Sequence, residues 1–416
     1  MTDYDVAIIG AGIVGSTLAS LLAPHTNLVL IDRSVRGLHG STGHAPGFVG
    51  QLNTLAPLTE LAKRTVKHYT SVPGGFDIVG GLEVARSEAE EANLTERAQL
   101  AHDAGLAARL VSASDAAELA PAFIDGERVT AALHFPNDGT ANARHLATAG
   151  QDAAESAGAK LLDADVTAIT KSESGPGYTL TTSTGTFTAA HVVVCTGVWA
   201  SQLLPTLSAA AVSVAHPYAY SSQRTQRPAT SPFIRWPAAH VYARDHGVRD
   251  GIGSYDHDPV HVSATACARM PSAYGEWEPA FDSVIDRALG LLPAQTAETF
   301  GPIVAPAPAA VDTVKATDVP YVFNGLFTVT PDGMPLVGHL EGGLWCAVGV
   351  WVTHAAGSAG LLAGQILSAV GKGPKPSIED EGLGKAVDPK RFAGLEAAVL
   401  ERKALASYND IYNKEA

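Results

Sequence analysis

The chain is poor in cysteine. Its 416 residues include three cysteines, Cys195, Cys267 and Cys346, which lie far apart and form no Cys-x-x-Cys pair. Neither a zinc site nor a disulfide framework is therefore indicated, and we expect no metal. Such sparing use of cysteine fits a reducing compartment, so we expect a cytoplasmic protein.

Basic residues are also scarce. Lysine and arginine number 28 against 42 aspartate and glutamate residues, which gives a formal net charge of -14. This balance disfavours binding to nucleic acid or to an anionic membrane surface. A negative electrostatic field attracts small cations, including amines. An acidic surface can also have no role beyond keeping the protein soluble. Both interpretations stay open at this point.

The sequence has little that indicates a leader or a membrane span. Asp3 and Asp5 lead directly into the first apolar run, so we expect no signal peptide. Residues 344–370 lack Asp, Glu, Lys and Arg for long enough to cross a bilayer. However, Thr353 and His354 interrupt this segment, and its first half alternates like a strand. We predict a buried strand, a turn and a helix there.

What the sequence does contain is a dinucleotide fingerprint, GAGIVG, at residues 10–15. The apolar run 4–9 before it predicts a buried parallel strand, and a helix is predicted over 14–23. The first glycine allows a tight turn, the second lets the backbone approach a pyrophosphate, and the third lets the helix pack on the strand. The phosphates would then lie at the helix N-terminus.

An acidic residue completes this pattern. Residues 28–31 are predicted to form the second strand, and Asp32, 22 residues after Gly10, is well placed to accept a hydrogen bond from a ribose hydroxyl. A strand, a helix and an acid in register make a βαβ unit, which is stronger evidence than the glycines alone. A glycine-rich turn in an ordinary α/β domain is the plain alternative, and an NAD site would look the same up to here.

A histidine follows in a loop of small residues, GSTGHAPG, at 40–47. The small neighbours of His44 allow a planar ring edge to approach the backbone closely. A histidine bonds to a flavin as the neutral imidazole, and its near-neutral pKa keeps that form available. We therefore predict a flavoprotein whose cofactor is bonded to His44. The alternative is a histidine that only makes hydrogen bonds in a flexible loop.

The chain is long enough for more than one domain. We predict that residues 1–81, 142–205 and 322–372 form one discontinuous nucleotide-binding domain, and that residues 82–141 and 206–321 form a second domain over it. Residues 373–416 are predicted to be a C-terminal helical tail. Further predicted elements are a helix at 143–157, strands at 159–166, 191–194 and 211–220, a hairpin around 172–185, and a helix at 391–412.

Four phrases resemble the superfamily of glycine, sarcosine and D-amino-acid oxidases: FPNDG at 135–139, VCTGVW at 194–199, TPDGMPLVG at 330–338 and GVWVTHAAG at 349–357. Within it the chain is most similar to the N-terminal FAD half of dimethylglycine oxidase and of the related dimethylglycine and sarcosine dehydrogenases. The resemblance implies an α/β fold with a discontinuous FAD-binding Rossmann-type domain, like that of glutathione reductase. The second, α+β domain would bind substrate on a mostly antiparallel sheet.

The resemblance also implies a site. The loop of His44 is similar to the loop whose histidine is bonded to the 8α-methyl of FAD, and the stretch around His216 is similar to one with an active-site histidine. Tyr242 corresponds to a tyrosine that faces the flavin, and the turn 351–354 to one that contacts the isoalloxazine. The predicted catalytic residues are His216 and Tyr242. The predicted cofactor-binding residues are Gly10, Ala11, Gly12, Ile13, Val14, Gly15, Asp32, Arg33, Ser41, Thr42, Gly43, His44, Phe48, Val166, Gly197, Trp199, Tyr242, Trp351, Val352, Thr353 and His354.

The implied reaction is oxidative N-demethylation of a small cationic or zwitterionic N-methyl amine or amino acid. It would yield the demethylated amine, formaldehyde and hydrogen peroxide, with oxygen as acceptor. An alkylamine must lose its proton before a hydride can leave, so His216 is the candidate base and Tyr242 would orient the amine. Packing or simple hydrogen bonding is the alternative for both residues. Arg235 and Arg244 are candidates to bind a substrate carboxylate, although exposed salt bridges would also explain them.

The chain departs from this family in several places. It ends near residue 412, about where the relatives continue into a folate-binding domain, so we expect no folate domain on this chain. Pro217, which we place in a loop of the site, and Ala243, beside the flavin-facing tyrosine, depart from the pattern and could reshape the pocket, which leaves the substrate open. No lysine that could activate oxygen occurs between Lys171 and Lys315. An FAD dehydrogenase with another acceptor, or a non-catalytic flavin subunit that needs a partner chain, are the alternatives.

Overall fold

The computed structural model of the chain describes residues 2–172, 176–228 and 230–411. The strands are β1 Tyr4–Ile9, β2 Leu28–Asp32, β3 Phe48–Val49, β4 Phe76–Asp77, β5 Gly81–Ala85, β6 Arg109–Ser112, β7 Ala131–Phe135, β8 Gly139–Ala141, β9 Lys160–Asp163, β10 Val166–Lys171, β11 Tyr178–Thr182, β12 Gly185–Val194, β13 Val212–Tyr220, β14 Phe233–Trp236, β15 Val241–Asp245, β16 Asp250–Ser254, β17 Val260–Val262, β18 Tyr274–Gly275, β19 Tyr321–Val329, β20 Leu336–Glu341 and β21 Leu344–Val348.

The α-helices are α1 Ile13–Leu22, α2 Ala56–Thr70, α3 Glu88–Asp103, α4 Ala113–Leu119, α5 Ala143–Ser156, α6 Ala200–Leu203, α7 Ala264–Ala268, α8 Phe281–Leu289, α9 Ala294–Ala297, α10 Val311–Lys315, α11 Ala355–Ala369, α12 Ile378–Ala386 and α13 Ala397–Asn409. Short 3-10 helices occur at Ser41–Gly43, Gly197–Trp199, Pro205–Leu207, Pro237–Ala239, Glu298–Phe300, Pro308–Ala310 and Val352–His354.

One eight-stranded sheet has a parallel centre. Strands β9, β2, β1, β12 and β21 run parallel in that spatial order, and β10, β11 and β20 add antiparallel pairs. The central strands are almost wholly apolar and buried, as a sheet covered on both faces requires. Helices α1, α5 and α11 pack together over one face, where they bury the apolar side chains of β1 and β2.

A second, ten-stranded sheet is mostly antiparallel and runs in the order β18-β19-β13-β16-β15-β14-β5-β7-β6, with β17 beside β13. Two distant parts of the chain meet where β5 and β14 pair in parallel, with Phe233 opposite Gly81. Helices α4 and α8 cover part of one face of this sheet through a cluster that includes Phe123 and Ile285. A small three-stranded sheet, β3-β8-β4, makes up the third sheet of the described residues.

The local predictions compare closely with these bounds. The first strand has the predicted limits, and the first helix begins and ends one residue earlier than predicted. The predicted strand at 159–166 is wrong as one element, because β9 ends at Asp163 after pairing with β2 and a new strand begins at Val166. Residues 344–370 form the predicted strand, turn and helix.

Two further predictions involve residues outside the described ranges. The predicted hairpin around 172–185 corresponds to β10, β11 and the start of β12, with residues 173–175 outside the described ranges. The predicted helix at 391–412 is shorter in the structure, at Ala397–Asn409, and residues 412–416 of the predicted tail lie outside the described residues.

The described residues contain no helix with the length and apolar character that a bilayer crossing requires. In the same ranges, no group of three or more His, Cys, Asp or Glu side chains is arranged to hold a metal ion.

Candidate active site

A deep cleft runs from the carboxyl ends of β1 and β2 to one face of the ten-stranded sheet. Together with the open space at its mouth it encloses about 2040 Å³. The carboxyl edge of a parallel sheet is the usual ligand site of α/β folds. The fingerprint and the predicted catalytic residues both line this one cleft.

The fingerprint glycines are required by close backbone contacts. A Cβ on Gly10, which has φ +103°, would lie 2.5 Å from the carbonyl oxygen of Cys195 on the neighbouring chain segment. A Cβ on Gly15 would lie 1.9 Å from the carbonyl oxygen of Gly10. Both distances are far below van der Waals contact, so side chains cannot occupy these positions. The turn and the packing of α1 on β1 therefore follow directly from the glycines.

Asp32 is held at the end of β2 by two backbone N–H groups. Its carboxylate accepts hydrogen bonds from the Ala11 nitrogen at 2.8 Å and from the Ser34 nitrogen at 3.0 Å. Burial raises the pKa of this carboxyl above its usual value. Each oxygen of a carboxylate can accept more than one hydrogen bond, so Asp32 can also accept from a hydroxyl in the cleft.

The short helix Ser41–Gly43 ties the two halves of the cleft together. The Thr42 hydroxyl accepts the backbone N–H of Ile13, the first residue of α1, at 3.0 Å. The Ser41 hydroxyl donates to the Leu326 carbonyl on β19 at 2.6 Å. One of these bonds reaches the nucleotide-fingerprint side of the cleft and the other reaches the ten-stranded sheet. Together they fix the position of the residue that follows the short helix.

That residue is His44, whose ring lies against β19 and lines the cleft. A Cβ on Gly325 would lie 3.0 Å from Nε2 of the ring, so the glycine makes room for it. Nδ1 is buried and has no hydrogen-bond partner among the described residues. Burial is the main cause that lowers the pKa of His44 to about 3, and the positive charge of Lys315 adds to it. A hydrogen bond to the Leu326 backbone acts in the opposite direction. The imidazole is therefore neutral at pH 7.

His216 and Tyr242 lie together on the same ten-stranded sheet, where His216 is the register partner of Gly325. The Tyr242 hydroxyl is 2.8 Å from Nε2 of His216, and the two rings are nearly parallel with centroids 5.8 Å apart. Nδ1 of His216 is 2.8 Å from the Tyr408 hydroxyl on α13. Burial, followed by the charges of His257 and His44, lowers the pKa of His216 well below its ordinary value. His216 is thus a neutral imidazole between two phenols.

The sheet register brings these side chains together. Gly253 on β16 pairs with Tyr242 of β15 on one side and with Tyr218 of β13 on the other. A Cβ on Gly253 would lie 2.5 Å from the Tyr242 hydroxyl oxygen and 2.8 Å from the Tyr218 ring. Without a side chain between them, both tyrosines lean over β16. His216 lies two residues before Tyr218, so both point to the same face.

Aromatic rings form most of this end of the cleft. Phe48 lies 4.8 Å from the Tyr242 ring, Tyr255 lies 4.3 Å from the His216 ring, and Phe327 meets Trp351 edge to face at 5.5 Å. Such rings present negatively charged faces, which attract a cation. The arrangement suits a small alkylammonium group.

Most of the predicted cofactor residues line the cleft. They are Gly10, Ala11, Gly12, Ile13, Val14, Asp32, Arg33, Ser41, Thr42, His44, Phe48, Val166, Gly197, Trp199, Tyr242, Trp351, Val352 and Thr353. Three others lie behind its wall. Gly15 packs on Gly10, Gly43 packs on the Leu38 carbonyl, and His354 is buried, which lowers its pKa to about 4.

The two arginines considered for a substrate carboxylate are not among the described residues that line the cleft. Arg235 is mostly buried and lies 3.5 Å from the Glu83 carboxylate. Arg244 donates to the carbonyls of Pro46, at 2.6 Å, and Asp245, at 3.0 Å. Arg244 therefore supports the loop that carries His44.

Pro217 and Ala243 do not line the cleft either, and placing Pro217 in a loop is wrong. Pro217 lies inside β13, at the gap where β17 has ended and β16 has not yet paired. A residue there needs no backbone N–H on that side, which suits proline. Ala243 is buried in the core beneath the sheet, since its side chain points away from that of Tyr242.

Sequence reasoning missed several residues of this site. Tyr218, Phe323 and Phe327 line the cleft, and alternation along β13 and β19 is the signal that would have found them. Tyr408 is hydrogen-bonded to His216 and His257 to Tyr408. The two pairs are 192 and 151 residues apart in sequence, so no local pattern indicates these contacts.

Comparison with known proteins gives consistent matches. A sequence profile of the DAO family, described as FAD dependent oxidoreductase, matches residues 5–365. Glycine oxidase of Geobacillus kaustophilus (strain HTA426) is 30% identical over 213 residues, which is 48% of this chain and 56% of that protein. The mitochondrial dimethylglycine dehydrogenase of Homo sapiens is 26% identical over 427 aligned residues, 97% of this chain and 46% of that protein. The chain thus spans about half the length of these curated relatives.

The fold has matches among solved structures as well. L-proline dehydrogenase from P. horikoshii superposes with a TM-score of 0.74 at 20% identity, covering 93% of this chain and 97% of that one. At this level of identity the likeness concerns the fold alone, and it confirms the predicted α/β architecture.

Proposed function

Because this chain belongs to the DAO family of FAD-dependent oxidoreductases, we propose that it oxidises a small N-methylated amine or amino acid. The products would be the demethylated amine, formaldehyde and hydrogen peroxide. One observation supports this most: the fingerprint, His44 and the His216–Tyr242 pair line a single cleft. The human relative is named for dimethylglycine and the Geobacillus relative for glycine, so small amino acids and amines are the substrate class to test.

The residues present fit FAD. The glycine turn and the N-terminus of α1 would hold the pyrophosphate, and Asp32 would accept from the ribose. His44 and the turn Val352–His354 would lie beside the ring system. When bound, FAD supplies an acceptor for the hydride that leaves the carbon next to the amine nitrogen.

We further propose that His44 holds the flavin covalently, at its 8α carbon. The neutral ring, with its unpartnered and buried Nδ1, has the form that such a bond needs. The Ser41 and Thr42 hydrogen bonds hold the loop on both sides, so His44 is placed before the cofactor binds. A positioned nucleophile reacts faster than a mobile one.

The aromatic end of the cleft would bind the substrate. Tyr242, Tyr255 and Trp351 offer ring faces to a methylated ammonium group, and the net charge of -14 attracts cations to the protein. The Tyr242 hydroxyl would then contact the amine itself. The hydrogen bond to His216 orients this hydroxyl. The hydroxyl would in turn orient the amine and the reacting carbon next to it.

Two measurements test the proposal. Acid denaturation of the purified protein should leave the yellow colour in the pellet, and His44→Ala should release it to the supernatant. His25→Ala, at an exposed histidine that does not line the cleft, is the control and should keep a yellow pellet. Second, a panel of N-methyl amines and N-methyl amino acids should bleach the flavin anaerobically and release formaldehyde. If no member does so, the substrate class is wrong.

A second candidate differs only in the electron acceptor. The human relative that matches 97% of this chain is named a dehydrogenase, which favours an acceptor other than oxygen. Turnover with an artificial dye, with little peroxide formed in air, would identify this activity. Stoichiometric peroxide would identify the oxidase.

A further inference from the structure

A continuous line of hydrogen bonds connects the cleft with the protein surface. The Tyr242 hydroxyl is 2.8 Å from Nε2 of His216, whose Nδ1 is 2.8 Å from the Tyr408 hydroxyl. That hydroxyl is 2.6 Å from Nε2 of His257. Tyr242, His216 and Tyr408 are buried, whereas His257 is partly exposed. The line therefore has one end at the substrate and one end near water.

A single carbonyl group sets the direction of all these bonds. Nδ1 of His257 lies 2.8 Å from the Asp258 carbonyl oxygen, which only accepts, so Nδ1 carries the proton and Nε2 is the acceptor. Tyr408 must then donate to His257 and accept from Nδ1–H of His216. This leaves Nε2 of His216 as the acceptor of the Tyr242 hydroxyl. A phenol oxygen that donates its own proton can also accept a hydrogen bond, so Tyr242 can accept a proton from the substrate.

We propose that Tyr242, His216, Tyr408 and His257 form a proton relay that removes the proton of the bound ammonium substrate. The inference rests on the proposed amine oxidation. The ammonium gives its proton to the Tyr242 oxygen, Tyr242 passes its own to Nε2 of His216, and Nδ1 of His216 passes its proton to Tyr408. The Tyr408 proton then moves to Nε2 of His257. The amine becomes neutral, and His257 becomes an imidazolium.

The surroundings explain why the proton does not stop at His216. Aromatic rings enclose His216, with Tyr255 at 4.3 Å and Phe327 at 5.7 Å, so a charge there would lack solvation. His257 lies between the exposed carboxylates of Asp256 and Asp258, which favour its charged form. Arg287, on α8, opposes this charge but is itself bonded to Asp256 at 2.9 Å. Burial still lowers the pKa of His257, which helps it release the proton to water.

The helix α13 supplies the central member of the relay and is anchored on both sides of it. The Ser407 hydroxyl donates to the Thr330 carbonyl at 2.8 Å. The Asn409 amide donates to the backbone carbonyls of His257, at 2.8 Å, and Tyr255, at 3.1 Å. These bonds fix the Tyr408 hydroxyl between the two histidines. Tyr408 and His257 thus act through Tyr242 and are positioning residues.

The first arm of the test measures flavin reduction by stopped flow, without oxygen, from pH 6 to pH 10. Tyr408→Phe keeps the ring and removes the hydroxyl, so reduction at pH 7 should slow about 100-fold. The rate should rise toward the unmodified enzyme's rate near pH 10, where a substantial fraction of a free alkylamine is neutral without help. His257→Gln should show the same displaced pH profile. Tyr220→Phe, at a buried tyrosine on β13 outside the relay, should leave the profile unchanged.

A purely structural role of Tyr408 would lower the rate at every pH, and recovery at high pH would then be missing. Either that result or a wild-type profile in Tyr408→Phe overturns the relay. The second arm needs no substrate: ¹⁵N spectra of histidine-labelled holoprotein should show the proton on Nδ1 of both His216 and His257, with His216→Gln and His257→Gln used for assignment. A proton on Nε2 of His216 overturns the relay. If no amine reduces the wild-type flavin, the proposed function fails and the relay fails with it, whereas a wrong tautomer in the spectra overturns the relay alone.

Discussion

Replacing Glu83 with glutamine should destabilise the protein markedly, because Glu83 is a buried carboxylate between two arginines. It is 3% exposed on β5, with Arg97 of α3 at 2.5 Å and 2.6 Å and Arg235 of β14 at 3.5 Å. A unit-charge pair at 4 Å attracts by about 4 kcal/mol at an effective dielectric constant of about 20. Burial offsets part of this gain, and removing one member of a buried pair typically costs about 3–5 kcal/mol.

That cost can be converted into a melting temperature. Unfolding entropy is about 2.1 cal/mol/K per residue, so a chain of this length loses about 1 °C for each kcal/mol. Glu83→Gln should therefore lower Tm by about 3–5 °C. Glu127→Gln, at an exposed glutamate, is the control and should shift Tm by less than about 1 °C. Circular dichroism of both variants, with the cofactor content matched, is the assay.

The pH dependence of the difference provides a second check. Burial alone would raise the pKa of Glu83, but Arg97 and Arg235 outweigh it and hold the pKa below its usual value. A carboxyl with a lowered pKa keeps its stabilising effect above its unfolded pKa and loses it as the pH falls through the folded value. The difference in Tm should thus stay constant from pH 8 to pH 5. A difference no larger than the control, or one that fades within this range, would refute the reasoning.

Two further predictions concern α11 and the loop of His44. A Cβ on Gly357 would lie 2.2 Å from the Leu61 carbonyl of α2, so Gly357→Ala should lower Tm by about 3 °C. Gly360→Ala, at an open position of the same helix, should raise it by up to about 1 °C, and equal shifts in fluorimetry would contradict the packing. Arg244→Lys removes the planar donor that holds the Pro46 carbonyl, so it should lower the fraction of flavin retained in the acid pellet. An unchanged fraction would show that Arg244 does not support the loop.

The sequence predicts the nucleotide half of the fold well because its signals are local. The apolar run of β1, the glycine turn and the acid at the end of β2 lie within about thirty residues and need no distant partner to be interpreted. The error at 159–166 has the opposite cause. The break between β9 and β10 depends on which strand each one pairs with, β2 for the first and β11 for the second, and neither partner lies within the predicted segment.

The site shows the same division. His44, His216 and Tyr242 were found through family phrases that surround them, and all three line the cleft. Their roles remain proposals. Tyr408 and His257 could not be found, because they are 151 residues apart and meet only after α13 has docked. No periodicity or spacing in the sequence encodes that contact.

The parallel seam between β5 and β14 has a consequence for biosynthesis. Strand β5 leaves the ribosome long before β14 exists, so one of its edges waits with unpaired amide and carbonyl groups. Its other neighbour, β7, is synthesised much earlier than β14. During translation the chain can therefore form a partial sheet with one unpaired edge strand. Until β14 is synthesised, this exposed edge is a site where the nascent chain can aggregate and where a chaperone would protect it.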